Sequence, residues 1–109
     1  MGTTTAGRFV TIAGVGDVPP GRLKVFKAEA HRVAVCQVDG RFYAVEDVCT
    51  HDAGPLGEGE LHGEEVECPR HGARFNVKTG AAVTMPAVVP VKVYETRVED
   101  GRLQVRLEA

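Results

Sequence analysis

No run of this chain comes near the roughly 20 consecutive apolar residues that a membrane-crossing helix requires. The opening stretch, MGTTTAGRF, has none of the apolar core that a secretory signal carries. Gly2 invites N-myristoylation, but that motif wants a hydroxyl residue four positions on, where Ala6 stands. Basic residues are not in excess: 13 Lys and Arg against 15 Asp and Glu leave a formal charge of -2, which argues against a nucleic-acid partner. Cysteine is scarce, at three, and an odd count without an export signal fits metal binding better than a disulfide framework. Internal repeats, low-complexity tracts and linkers are also missing. Together these absences predict a cytoplasmic protein with neither a membrane nor a nucleic-acid partner.

Helix signals are weak as well, because 13 glycines and six prolines leave few uninterrupted windows. Strand signals are strong. LKVFKA, RVAVCQV, RFYAVE, EVEC, ARFNV, VKVYETRVE and RLQVRLE alternate or run β-branched. Asp39-Gly40 and Asp100-Gly101 each separate two such runs, as hairpin turns do. The chain is therefore expected to be all-β. Residues 1–109 are expected to form a single domain, since one core commonly serves about 100–150 residues.

Residues 46–67 break the strand rhythm with Gly54, Pro55, Gly57 and Gly59, and a long loop inside a small domain is commonly functional. Its ends lie beside a distinctive set of residues. Cys49 and His51 stand two apart, Cys68 and His71 three apart, with sixteen residues between His51 and Cys68. Thiolates suit zinc, copper(I) and iron–sulfur clusters, and imidazole suits zinc and iron, so donor type alone does not choose. The pairing does more. Zinc fingers commonly keep Cys with Cys and His with His, whereas each short segment here offers one sulfur and one nitrogen. That suits a dinuclear centre with both thiolates on one iron and both imidazoles on the other.

CTH, sixteen residues and then CPRHG resembles the Rieske iron–sulfur signature, and CPRHGARFNVKTG is similar to soluble bacterial Rieske-type ferredoxins. VDGRFYAVEDVCTH upstream and MPAVVPVKVYETRVEDGRLQV downstream extend the resemblance over nearly the whole chain. It implies a Rieske-type β-barrel or sandwich base with a small inserted cluster-binding lobe at about residues 46–87. It implies one [2Fe–2S] cluster, with Cys49 and Cys68 on one iron and His51 and His71 on the other. Gly72 would allow close backbone approach, and Met85, Pro86 and Ala87 match the loop that packs over the cluster from a third side.

High-potential members of the family bridge their two ligand loops with a disulfide, but Gly54 and Arg70 occupy those positions here. The same members direct Ser and Tyr hydroxyls at the cluster, where this chain has Ala73 and Phe75, which cannot donate. Fewer donors predict a potential near the low end of the Rieske range, about −150 mV. The resemblance then implies a one-electron carrier, itself not an enzyme. Its partners would be a flavin-containing NAD(P)H-dependent ferredoxin reductase and a terminal oxygenase of the aromatic-ring-hydroxylating dioxygenase type. Two alternatives stand beside it: a small Rieske subunit of a nitrite-reductase-like complex, and a colourless zinc-stabilised binding module. Catalysis by a mononuclear iron would need two more histidines, a carboxylate and a separate domain, and only His31 and His62 are unassigned.

Cys36, inside RVAVCQV, reads as a packing residue. Phe42, Tyr43 and Phe75 read as core, and His31 and His62 as turn residues. Eight acids lie between Glu46 and Glu67 with no Lys or Arg among them, either a steering surface for a basic partner or a solvated loop. Arg70 and Arg74 flank His71, placed to dock a partner or to moderate the cluster's negative charge.

Overall fold

The computed structural model describes residues 7–48, 54–69, 72–85 and 89–108. They form eleven strands and one short 3-10 turn at Val15–Asp17. In chain order the strands are β1 (Gly7–Gly14), β2 (Leu23–Ala28), β3 (His31–Val38), β4 (Arg41–Glu46), β5 (Glu60–His62) and β6 (Glu65–Glu67). They continue as β7 (Arg74–Asn76), β8 (Ala82–Thr84), β9 (Val93–Tyr94), β10 (Thr96–Glu99) and β11 (Arg102–Glu108). The all-β expectation holds. Among the described residues no helix is long and apolar enough to cross a membrane.

The strands build three antiparallel sheets, ordered β1-β11-β10, β2-β3-β4-β9 and β5-β6-β7-β8. The Asp-Gly pairs turn the chain as their composition requires. Asp39 and Gly40 have φ of 53° and 79°, and Asp100 and Gly101 have 54° and 74°. Positive φ at both central residues is the pattern of the type I′ turn, whose twist matches the flanking strands. Val38 consequently pairs with Arg41, and Glu99 with Arg102.

The β2-β3-β4-β9 sheet is the middle layer. Val33, Val35, Ala44 and Tyr94 pack with Leu103, Val105 and Leu107 of β11 and with Val18. Ala34, Cys36 and Val45 point the other way and pack with Leu56, Val66, Cys68, Ala73, Phe75 and Val77. Burial on both faces explains why β3 reads as a continuous apolar run. By contrast β11 alternates, with Leu103, Val105 and Leu107 buried and the residues between them more exposed, because it covers only one face.

The third sheet is drawn entirely from residues 60–84, between β4 and β9, so an inserted lobe is present as expected. β4 and β9 are themselves paired, Val45 with Val93, and the Glu46 amide donates to the Lys92 carbonyl at 2.9 Å. The lobe is thus entered and left at adjacent points of one sheet. Val91 N donates to Gly80 O at 2.8 Å and Gly80 N to Asn76 O at 2.7 Å, which tie the returning chain to the turn after β7.

Several details depart from the sequence reading. GRFVTIAG forms β1, a strand missing from the runs read in the sequence. VKVYETRVE is not one strand: β9 pairs with β4 in the middle sheet, and β10 pairs with β11 in another. Glu95 lies between them and leaves no hydropathy signal, because the break is a change of layer rather than a turn. β5 and β8, ELH and AVT, carry no strand signal of their own and are strands through their pairing with β6 and β7. His31 is not a turn residue; it opens β3, half-buried, with Nδ1 3.2 Å from the Tyr94 hydroxyl.

Leu103→Ala removes a fully buried side chain from the core beneath the middle sheet. It is expected to cost about 2–5 kcal/mol in equilibrium urea unfolding followed by circular dichroism. Val98→Ala, at a site 52% exposed on β10, should change stability by no more than about 0.5 kcal/mol.

Candidate metal centre

Two loops carry the predicted ligands. The first begins as β4 ends. The Asp47 amide donates to Arg32 O at 3.0 Å and the Val48 amide to Glu46 O at 2.8 Å, which turns the chain out of the sheet. Cys49 and His51 lie outside the described residues. The chain returns through Leu56, which is fully buried in the core beneath the lobe, and Gly59 N donates to Leu56 O at 3.0 Å. The side chain of Asp47 is also fully buried. Its Oδ1 accepts from Leu56 N at 2.9 Å and Gly57 N at 2.6 Å, and its Oδ2 faces Arg32 Nη2 at 3.3 Å. An acid that the sequence groups with a solvated or steering band is therefore internal.

The second loop joins β6 to β7. Cys68 N donates to Ala73 O at 2.7 Å and Gly72 N to Cys68 O at 3.1 Å, closing a tight hairpin. His71 and Arg70 lie outside the described residues. Gly72 has φ of +75°, and a Cβ there would meet only Glu67 Oε2 at 3.7 Å. The left-handed backbone by itself calls for glycine here. β8 braces the hairpin from outside: Arg74 N donates to Thr84 Oγ1 at 3.0 Å, and the Thr84 hydroxyl donates to Gly72 O at 3.4 Å. Nothing in sequence singles out Thr84, whose role arises from a β7–β8 pairing invisible in local pattern.

Cys68 has no exposed surface and sits among Ala73, Phe75 and Val66, all equally buried. A sulfur held in an apolar seat at the neck of a hydrogen-bonded hairpin fits a thiolate ligand shielded from water. Ala73 and Phe75 offer it no hydroxyl. Met85 is 74% exposed, so its own side chain lies outside the core, and Pro86 and Ala87 fall outside the described residues. Among the described residues no group of three or more His, Cys, Asp or Glu is placed to hold a metal ion.

The two loops meet at their bases. A Cβ on Gly59 would lie 1.8 Å from the Glu67 carbonyl oxygen, so only glycine lets the first loop press on the strand preceding Cys68. Glu58, Gly59, Glu60, Glu67 and Pro69 line a cleft of about 270 Å³ there. Much of the surrounding negative charge is already matched. Arg74 reaches Glu67 at 3.2 Å and Glu65 at 3.6 Å, so it offsets nearby acids. His62 is not a turn residue: it closes β5, with Nε2 2.9 Å from Glu67 Oε1 but without the alignment of a hydrogen bond. Lys78 pairs with Glu64 at 3.0 Å. The hydrogen bond from Lys78, then that from Asn76, holds the Glu64 carboxyl below its usual range.

Residues 8–95 match the family described as the Rieske [2Fe-2S] domain. The chain is 40% identical to Ferredoxin CarAc of Metapseudomonas resinovorans, over 89% of this chain and 92% of that protein. It is 34% identical to the ferredoxin component of the naphthalene 1,2-dioxygenase/salicylate 5-hydroxylase systems of Ralstonia sp, over 92% of this chain and 96% of that one. Among solved structures it is similar to a chain in the complex of reduced oxygenase and oxidized ferredoxin in carbazole 1,9a-dioxygenase. There the TM-score is 0.83 and the identity 39%, over 89% of this chain and 91% of that chain.

Cys36 is a free cysteine, 1% exposed, and burial pushes its thiol from the ordinary 9.0 up to about 12. It packs in the same core as Cys68 and so fills the packing role expected of it. At pH 8 only about one such thiol in ten thousand is ionised. Iodoacetamide at that pH should therefore leave Cys36 unmodified in the folded protein and label it after denaturation, as peptide mass spectrometry reads. The folded state disfavours the thiolate, so stability held below pH 9.0 should erode toward pH 12. That part of the alkaline loss should vanish in Cys36→Ala.

Proposed function

The chain belongs to the Rieske [2Fe-2S] domain family, and we propose that it is a soluble one-electron carrier of an oxygenase system. The observation that carries this reading is co-extension. The match covers 92% of Ferredoxin CarAc and 96% of the ferredoxin component of the naphthalene 1,2-dioxygenase/salicylate 5-hydroxylase systems. In this reading residues 1–109 are one domain, with a cluster-binding lobe at about residues 46–87. The protein works in the cytoplasm between a flavin-containing NAD(P)H-dependent reductase and a terminal oxygenase.

Cys49 and Cys68 would hold one iron of a [2Fe–2S] cluster, and His51 and His71 the other. When bound, the cluster supplies a single redox equivalent that is taken up and released without bond making in any substrate. The residues of the chain do the rest. Cys68, with no exposed surface, keeps its end of the site dry. The hairpin bonds at Cys68, Gly72 and Thr84 hold the base of the second loop. Ala73 and Phe75 put buried hydrocarbon where hydroxyl donors would stabilise added negative charge. Glu65 and Glu67 lie nearby with Arg74 as partial counter-charge. This balance supports a potential of about −150 mV, low in the Rieske range.

The purified protein should be red-brown and become paramagnetic with dithionite, with a mean g below that of four-cysteine [2Fe–2S] proteins. Redox titration should place its midpoint near −150 mV, and a clearly positive midpoint would overturn the low-potential assignment. Cys68→Ala should lose the colour and the signal. Wild type should pass electrons from NAD(P)H and a flavin reductase to an oxygenase while eluting alone. Elution only with a large reductase subunit would favour a nitrite-reductase-like assembly, and a colourless protein with stoichiometric zinc would end the carrier reading.

A further inference from the structure

Between β4 and β5 the described residues, 47–48 and 54–59, form no strand. A buried side chain fastens the returning residues 56 and 57. Asp47, buried, takes the amides of Leu56 and Gly57 on a single carboxylate oxygen, at 2.9 Å and 2.6 Å. Its other oxygen faces Arg32 Nη2 at 3.3 Å and Nε at 3.4 Å. A buried carboxylate is tolerated only when paired and hydrogen-bonded, and among the described residues its partners belong to the loop or to the strand beneath it. Charge-assisted bonds of this kind are shorter and stronger than those between neutral groups.

The fastening is transmitted. A Cβ on Gly57 would lie 2.2 Å from Val25 Cγ2 and 3.1 Å from Asp47 Oδ1, so the segment lies directly against the middle sheet. Two residues later Gly59 abuts the Glu67 carbonyl, the peptide that leads into Cys68. One carboxylate therefore connects the point two residues before Cys49 to the point one residue before Cys68.

We propose that Asp47 is a positioning residue for the two ligand loops: by clamping Leu56 and Gly57 it seats Gly59 on Glu67 and sets the Cys49–His51 loop against the Cys68–His71 loop. The proposal rests on the ligand assignment made above. Asp47 touches no iron in this account. It acts through the loop, holding the separation of the two Cys-His pairs.

The test compares the wild-type, Asp47→Asn and Asp47→Ala holoproteins by the rate of iron release to a chelator and by the EPR g values of the reduced protein. Asn retains an oxygen that accepts the two amides, and Ala retains none. Asp47→Ala should release iron at least about tenfold faster with shifted or broadened g values, and Asp47→Asn should stay within about twofold of wild type with native g values. Asp47→Ala matching wild type in both readouts overturns the proposal, and so does Asp47→Asn failing as fully as Asp47→Ala. If circular dichroism shows that Asp47→Ala does not fold, amide exchange in the wild-type holoprotein decides. Slow exchange at Leu56 and Gly57, read by mass spectrometry, supports the clamp, and exchange at open-chain rates overturns it. Wild type lacking iron and sulfide ends the ligand reading and this proposal with it, whereas a wild-type-like Asp47→Ala ends this proposal alone.

Discussion

Burial of β3 on both faces is the constraint on which the rest of the structure depends. Its pleat sends Val33 and Val35 to one side and Ala34 and Cys36 to the other, and all four are at most 1% exposed. A one-residue slip in pairing would exchange the two sets and set each against the wrong layer. Register is therefore specified from two directions at once. The lobe is not an appendage resting on a finished domain, because Cys68 and Phe75 share a core with Ala34, Cys36 and Val45. The seat of a predicted ligand and the packing of the central sheet are the same set of contacts.

What could be read from sequence follows from the range of each interaction. The Asp-Gly hairpins were legible because their positive φ is a local demand met by two adjacent residues. The Cys-x-His and Cys-x-x-His spacing was legible for a similar reason, since each pair lies within one short loop. Of those four residues the structure describes Cys68, and it places that sulfur at the neck of a closed hairpin. The contacts of Asp47, Gly59 and Thr84 were not legible because each acts on a partner distant in the chain: Asp47 on residues 56 and 57, Gly59 on Glu67, and Thr84 on Gly72 and Arg74. The break at Glu95 escaped for a further reason. Strand character persists through it, and only the identity of the neighbouring strand changes.

Charge illustrates the same distinction. Eight acids crowded into residues 46–67 look like a uniform negative surface. Folding sorts them. Asp47 goes inside, Glu64 meets Lys78, and Glu65 and Glu67 meet Arg74, while Glu58 and Glu60 stay exposed. Exposed pairs contribute little to stability, roughly 0–1 kcal/mol each. Their larger effect is to offset part of the charge that the composition suggests, while the exposed Glu58 and Glu60 line the cleft beside Pro69.

The pairing of β4 with β9, sealed by the bond from Glu46 to Lys92, carries one more consequence. Entry to the lobe and exit from it lie side by side, so the base meets the inserted segment as the stem of a hairpin meets its loop. Lengthening such a segment adds closure entropy only logarithmically, about 0.6 kcal/mol per doubling. The loop tips are accordingly the cheapest part of this architecture to vary, while the strands beneath them keep their partners. A fold arranged in this way can present the same redox site to differently shaped acceptors by changing loop length alone.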